Sequence, residues 1–526
     1  MKQLSPQKIQ ELMMLHQQGE YKKAVIMAEG LLKDFPNELM LHNILGLCQE
    51  GQGLFSEASQ AYQKALEINP AIPELQFNLG AMLYAMNDHN GAIIHYQKAI
   101  NLNPNFVEAF FNLGIVLQNQ AKHKEAVVAY QKAVNLQPGF YEAIGNMGTI
   151  KQLQGDLDEA IRLFEQSIAI YEDARGHYNL ACAYRNQGSL PLSIKHYRRA
   201  IEIGSGEAEF YSDLGDTLWH DGNIEEASRF LRMAVEVDSS HPKANYQLAI
   251  FLYDNKAFDE AIKYFEASQF EDWQERVLYC LYKLEQFDMF KERLLQVIDK
   301  NNISPFLATL SNHYAQNFKT KDEYNFCPTP LNFVCHEEVP ELLADNGRLI
   351  DELLNDIGSV DISQRKQSRL FFGSQSAGNL FKRSERSFKV LKDALKKVIQ
   401  RYYLRHKNDS CEFIRSFPKS IDFSSSWYIK MQSGGHLTSH IHEEGWVSGA
   451  IYLLIPKKTQ EGNEGAIELS TDGDEYPKLH DDFLKETILP KVGDVIFFPS
   501  SVFHRTIPFN SDEERICIAF DVRPEL

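Results

Sequence analysis

The sequence predicts a two-part chain, an all-α array of helix-turn-helix repeats followed by a mainly β antiparallel domain with flanking helices. Three observations carry this reading. Glycine, alanine and aromatic positions recur every 34 residues through the first half. Short β-branched and aromatic runs, separated by Gly, Pro, Asn and Asp, fill the C-terminal part. Among those runs stand His440-x-His442, a distant His504 and Arg515.

The repeats come first in the chain. Gly46, Gly80, Gly114 and Gly148 are 34 residues apart, as are Ala58, Ala92, Ala126 and Ala160, with Tyr62, Tyr96, Tyr130 and Phe164 four residues beyond each alanine. Pro70, Pro104 and Pro138 end the units, where a proline stops the second helix. One residue is lost after Ile170, and the pattern then runs on through Ala181, Tyr197, Gly215, Ala227, Ala249 and Ala261. The first unit, near Ala24 and Ala28, and a degenerate one from Trp273 to Lys300 read as end repeats that shield the stacked core. Period and pattern are similar to the tetratricopeptide repeat, with about eight to nine copies. That resemblance implies a superhelix whose groove binds a protein or peptide partner. The alternative for the groove is a spacer or self-association surface.

Ile303 to Phe318 reads as a helical adaptor, and Cys327-Pro328-Thr329-Pro330 marks a break. A helix is predicted over Phe388 to Tyr403, where Val390, Leu391, Ala394, Leu395 and Val398 keep helical spacing, and it is expected to pack outside the β domain. The basic cluster of Lys382, Arg383 and Arg386 reads as a solvated face. Arg369 to Phe381 reads as a turn or a loop near the site, and Lys457 to Lys491 as a polar insertion able to act as a lid.

Strands are predicted over Ser426 to Met431, Val447 to Ile455, Val492 to Pro499 and Arg515 to Val522. On the last, Arg515, Cys517 and Ala519 share one face and Ile516, Ile518 and Phe520 the other. The second face suits a core; the first leaves room beside a guanidinium for a carboxylate held bidentately. Side chains at i and i+2 of a strand share a face, so His440 and His442 can grip one ion. His504 can then close a face of the octahedron, leaving three positions open for a bidentate ligand and oxygen. That is the pattern of a non-haem iron oxygenase.

From about Asn325 onward the chain resembles the Fe(II)/2-oxoglutarate-dependent oxygenase superfamily, in particular bacterial members fused to tetratricopeptide repeats. The residues that carry the resemblance are Gly434-Gly435-His436-Leu437-Thr438-Ser439-His440-Ile441-His442, Gly445 to Leu453, Phe498-Pro499-Ser500 before His504, and Arg515 to Asp521. It implies a double-stranded β-helix, or jelly roll, with Fe(II) in its mouth and 2-oxoglutarate as cosubstrate. The implied domains are 1–300 repeats, 301–324 adaptor and 325–526 oxygenase-like jelly roll. The implied catalytic set is His440, His442, His504 and Arg515, with the three histidines on the metal and Arg515 on the cosubstrate. Tyr428, Lys430 and Tyr452 are further cosubstrate candidates, although strand parity alone does not tell inward from outward.

The pattern departs from the superfamily at one point. Most members use His-x-Asp or His-x-Glu with a distal histidine, whereas the aligned residues here are His440-x-His442. Shifting by one pair gives His442, Glu444 and His504, which restores a carboxylate. Three neutral imidazoles would leave the ion its full double charge, favouring a dianionic keto acid while donating less electron density. His436 reads as a structural histidine, Glu443 as a solvated loop acid and Trp446 as packing.

Composition bounds the function. The chain of 526 residues has a net charge of -18, which argues against nonspecific nucleic-acid binding. Seven cysteines without paired spacing read as free thiols in a reducing compartment. With no apolar leader or bilayer-length run, the expectation is a cytoplasmic chain with no membrane partner. Two functions are implied: a hydroxylase acting on a protein held by the repeats, or a repeat scaffold whose jelly roll binds metal without turnover. A small-molecule oxygenase using the repeats for assembly is a third.

Overall fold

In a computed structural model the chain forms two compact units, Met1–Leu248 and Ala249–Leu526. The structure describes residues 4–298, 303–359, 364–365, 369–376, 379–418, 420–443, 445–457 and 462–523.

The first unit is built from consecutive helix pairs, among them Leu39–Glu50 with Phe55–Ile68, Pro73–Ala85 with His89–Leu102, and Val107–Asn119 with His123–Leu136. The 34-residue spacing has a steric cause. A Cβ added at Gly46, Gly80 or Gly114 would lie 2.6, 2.9 or 2.5 Å from the ring of Tyr62, Tyr96 or Tyr130, so the two helices of a pair meet only where no side chain intervenes. The alanines facing this contact, Ala58, Ala92 and Ala126, are fully buried. Aromatic contacts link successive pairs: Phe77 meets both Tyr96 and Phe106, and Phe111 meets both Tyr130 and Phe140. Each first helix closes on a left-handed residue, Gly53, Asn87, Ala121 and Gly155 in turn. At Ala121 the Schellman pair of bonds is complete, from Ala121 N–H to Gln118 O and from Lys122 N–H to Leu117 O.

The second unit contains a helix pair, Trp273–Lys283 and Phe287–Ile298, and the helix Pro305–Asn317. Among the described residues these are followed by ten strands: β1 (Cys335–Glu338), β2 (Gln364–Arg365), β3 (Leu370–Ser376), β4 (Asp422–Leu437), β5 (Val447–Leu454), β6 (Ile467–Ser470), β7 (Lys485–Ile488), β8 (Asp494–Pro499), β9 (Phe503–Thr506) and β10 (Arg515–Arg523). The larger sheet has the order β1-β8-β5-β10-β4-β3-β2 and the smaller β7-β6-β9. All the strand pairs are antiparallel, as a jelly roll requires.

Two cores flank the larger sheet. Ile516, Ile518 and Phe520 of β10 face the helix Arg386–His406 through Phe388, Leu391, Leu395 and Val398. Cys517 and Ala519 face the smaller sheet through Ile467, Leu469 and Ile488. The alternation along β10 thus separates a helix-packed exterior from the interior between the sheets.

Two segments differ from the expectations above. Arg369 to Phe381 is not a loop: Leu370–Ser376 is β3, antiparallel to β4, although Ala377 and Gly378 lie outside the described residues. The insertion Lys457 to Lys491 is not simply a lid, because it supplies β6 and β7. Its polar composition reflects strands with one wet face, Ile467 and Leu469 turning inward while Glu468 turns out to pair with Arg505. Residues 458–461 of the insertion lie outside the described residues. Arg383 and Arg386 pair with Glu385 and Glu352, in keeping with a solvated face.

Candidate metal centre and the cavity behind it

The long strand β4 ends at Leu437, and the chain then turns so that His440 makes a two-way backbone bridge with His504, N–H to O at 3.1 and 2.9 Å. His442 N–H reaches Ser500 O at 3.3 Å. The pair thus sits on a bridged turn, not within a strand, yet the rings converge: centroids are 5.3 Å apart for His440 and His442, 4.2 Å for His440 and His504, and 4.9 Å for His442 and His504. One nitrogen from each can be chosen so that all three lie within 4.8 Å of one another, and this is the one such group of His, Cys, Asp or Glu among the described residues.

The opposite nitrogen of each ring is tethered. His440 Nδ1 lies 2.7 Å from Thr438 O, His504 Nδ1 3.4 Å from Val502 O, and His442 Nδ1 2.5 Å from Asp521 Oδ1. An acceptor at Nδ1 selects the tautomer that presents Nε2 as a lone pair, which is how ligating histidines are usually oriented. Burial, reinforced by the neighbouring His442, pushes the His440 imidazole down to about 3, and burial with both neighbours drives His504 well below its usual value. Both rings are therefore neutral at neutral pH, the form a metal needs. Burial opposes charging of His442 as well, but Asp521 overrides it and raises that ring.

Behind the histidines is a cavity lined by Trp427, Ile429, Tyr452, Arg515, Cys517 and Ala519. Arg515 is 2% exposed, and its Nε meets no acceptor among the described residues. Nη1 finds only sulfur, Met431 Sδ at 3.6 Å and Cys517 Sγ at 4.0 Å, and the guanidinium carbon stands 5.1 Å from the Tyr452 ring centroid. A buried cation without a carboxylate is costly. The position fits an anionic ligand.

Residues 425–521 match the family described as "Putative 2OG-Fe(II) oxygenase", and residues 51–87, 80–120, 107–140, 141–205 and 212–276 match tetratricopeptide repeat families. The chain joins tetratricopeptide repeats to a 2OG-Fe(II) oxygenase-family domain. No curated protein matches it. Among solved structures, MamA is 26% identical over 30% of this chain and 92% of its own, with a TM-score of 0.30. YrrB, described as a TPR protein with an unusual peptide-binding site, is 22% identical over 35% of this chain and 96% of its own, with a TM-score of 0.31. The C-terminal part of a TPR repeat-containing protein from Cytophaga hutchinsonii is 15% identical over 46% and 99%, with a TM-score of 0.39.

In the oxygenase-family domain the residues expected at the site divide cleanly. His440, His442, His504, Arg515 and Tyr452 line one cavity. Tyr428 does not. It pairs with Ile518 across β4 and β10 and lies in the helix-packed core, because it shares the parity of Ile516, Ile518 and Phe520; its expected contact with the cosubstrate is corrected here. Glu444, the carboxylate of the shifted triad, lies outside the described residues. His436 stacks on Phe371 with rings 6° from parallel, away from the metal group, and Glu443 is held by Arg276 at 2.7 Å instead of being freely solvated.

Asp521 was missed as a site residue. Strand parity could have found it, since it lies on the same face of β10 as Arg515, Cys517 and Ala519.

Family membership implies Fe(II) and 2-oxoglutarate, and the residues fit both. Three orientable neutral imidazoles suit a divalent transition metal, and the orphaned Arg515 suits a carboxylate.

Proposed function

We propose that this chain is an Fe(II)- and 2-oxoglutarate-dependent oxygenase that hydroxylates a protein or peptide recruited by its repeats. The observation that carries the reading is Arg515, a buried guanidinium with an unpaired Nε that lines the same cavity as three convergent histidines. In this reading His440, His442 and His504 hold the metal through Nε2 and Arg515 holds the distal carboxylate of the keto acid, with Tyr452 beneath it. Bound Fe(II) and 2-oxoglutarate would activate dioxygen as the oxidant for C–H hydroxylation, one oxygen atom going to the substrate and the other to succinate, with carbon dioxide released.

The chain's own residues hold, orient and shield. Ile429, Cys517 and Ala519 keep the cavity apolar between the two polar ends, so a five-carbon dianion is gripped at its ends and water is excluded between. Outside the turn 438–443, Tyr253, Arg276, Tyr279 and Asp474 border an open cleft, through which a substrate side chain would approach. Tetratricopeptide repeats generally mediate protein binding, so the first unit is the natural recruiting surface. The domain bounds 1–300, 301–324 and 325–526 and a cytoplasmic location belong to this proposal. Seven free cysteines are compatible with that location, and no helix among the described residues is long and apolar enough to cross a membrane.

The test is 2-oxoglutarate decarboxylation by the purified full chain with Fe(II), with and without proteins captured by it. Turnover that rises with a captured protein supports the reading. Metal and keto-acid binding without turnover, under every captured protein, would favour the scaffold with a non-catalytic jelly roll.

A further inference from the structure

The unusual feature of the site is its lack of a carboxylate among the candidate ligands described, and the structure places one at a single remove. Asp521 Oδ1 accepts from His442 Nδ1 at 2.5 Å and from Ser448 Oγ at 2.7 Å, while Oδ2 accepts from Ser425 Oγ at 2.7 Å. Sheet register builds this arrangement. β10 lies between β4 and β5, and Asp521 is opposite Ser425 on one and Ser448 on the other. Ser448 is fixed in turn by Ser500 at 2.7 Å, and Ser500 O receives the His442 amide. The acid, its two hydroxyl donors and the histidine backbone are thus tied to one sheet, with the Asp521 side chain only 14% exposed.

Among the described residues neither of the other two histidines has a charged partner at Nδ1; each leans on a neutral carbonyl two residues earlier in the chain. Of the three, only His442 hydrogen-bonds an anion among the described residues. Burying that anion is costly unless it is paired and hydrogen-bonded, and both serines and the imidazole lie within hydrogen-bond distance of it.

We propose that Asp521 is a charge-compensating positioning residue: it polarises the His442 imidazole so that the three-histidine set carries the negative character that a ligating carboxylate supplies elsewhere in the superfamily. This rests on the metal-binding reading above. A carboxylate behind a ligating imidazole raises its basicity and fixes its ring. The negative charge also favours the trivalent over the divalent ion. The consequence is twofold: tighter Fe(II), and a lower Fe(III)/Fe(II) potential.

The experiment compares the full-length protein with Asp521→Asn, which keeps an acceptor at nearly the same place and removes the charge. Fe(II) affinity is measured anaerobically, and the Fe(III)/Fe(II) potential by spectroelectrochemistry. Expected for Asp521→Asn are a 10- to 100-fold weaker Fe(II) affinity and a potential shifted positive, with the metal-free melting temperature little changed. Ser448→Ala serves as the second variant should Asp521→Asn not fold. Removing a donor to Asp521 concentrates charge on Oδ1, so its potential should shift negative, opposite to Asp521→Asn. An unchanged affinity and potential in folded Asp521→Asn, or a positive shift in Ser448→Ala, overturns the proposal. Failure of the wild-type protein to bind Fe(II) would instead overturn the metal-binding reading beneath it.

Discussion

Arg515 stands over the ring of Tyr452 with its guanidinium carbon 5.1 Å from the centroid, Met431 Sδ and Cys517 Sγ lie against its Nη1, and its Nε has no acceptor among the described residues. An arrangement this poor in acceptors is a liability for the fold unless something else occupies the cavity. Arg515→Met removes a buried charge with little change of volume. It should stabilise the metal-free protein by at least about 1 kcal/mol, seen as a higher urea midpoint, and abolish the stabilisation that 2-oxoglutarate gives with Fe(II). A lower midpoint in the variant would show that Arg515 is satisfied in the free protein.

Arg515→Lys separates charge from shape. The lysine keeps the positive charge and loses the planar fork, so 2-oxoglutarate affinity should fall by about 1.5 to 3 kcal/mol while Fe(II) affinity stays the same. Calorimetric titration of both ligands checks this, and unchanged keto-acid affinity would remove Arg515 from the cosubstrate site.

The metal-free protein should lose stability on mild acidification. His440 and His504 titrate below their unfolded value of about 6.5, so below that pH the unfolded chain binds protons that the folded chain refuses. Each costs up to about 1.4 kcal/mol per pH unit between 6.5 and its folded value. His442, raised by Asp521, has its stabilising contribution fully present below 6.5 and adds no slope there. Denaturation midpoints from pH 7 to 4.5 should fall steeply in the wild type and less steeply in His440→Asn. Identical slopes would show that His440 charges freely in the folded state.

The repeat unit offers a cleaner steric test. The ring of Tyr130 is fully buried, and its hydroxyl is tied to Gln118 at 2.9 Å and to Asn146 at 3.3 Å, so it cannot move aside for a Cβ 2.5 Å away. Gly114→Ala should therefore cost about 1 to 3 kcal/mol from overpacking, less up to about 1 kcal/mol of helix propensity. Ala121 holds a φ of 56°, a left-handed conformation that costs an L-residue about 1 to 2 kcal/mol. Ala121→Gly should be stabilising despite the added freedom of the unfolded chain. Urea midpoints moving in opposite directions for the two variants are expected; a destabilising Ala121→Gly would contradict the account.

The repeats were legible because their packing is periodic. Gly46, Gly80 and Gly114 occupy one steric position, and a linear sequence displays a period directly. The candidate site was legible in part, since His440, His442, His504 and Arg515, rare residue types among apolar runs, line one cavity. Tyr428 was misplaced because two opposite faces of β4 are both apolar, one meeting the helix Arg386–His406 and one meeting the cavity, so burial alone does not separate them. β6 and β7 were hidden for another reason: each has four residues, with Glu468 and Ser470 on one and Lys485, Glu486 and Thr487 on the other, too few apolar alternations to stand out from a loop. The partnership of Asp521 with His442 depends on the turn that follows β4, and no local pattern encodes how that turn folds back across the end of β10.

Iron stoichiometry across single substitutions tests the central claim most directly. The wild-type chain, loaded anaerobically, is expected to bind one Fe(II); His440→Ala, His442→Ala and His504→Ala should each lose most of it, and His436→Ala should keep it. Full iron in His440→Ala together with loss in Glu444→Ala would contradict the three-histidine centre and install the triad of His442, Glu444 and His504 in its place.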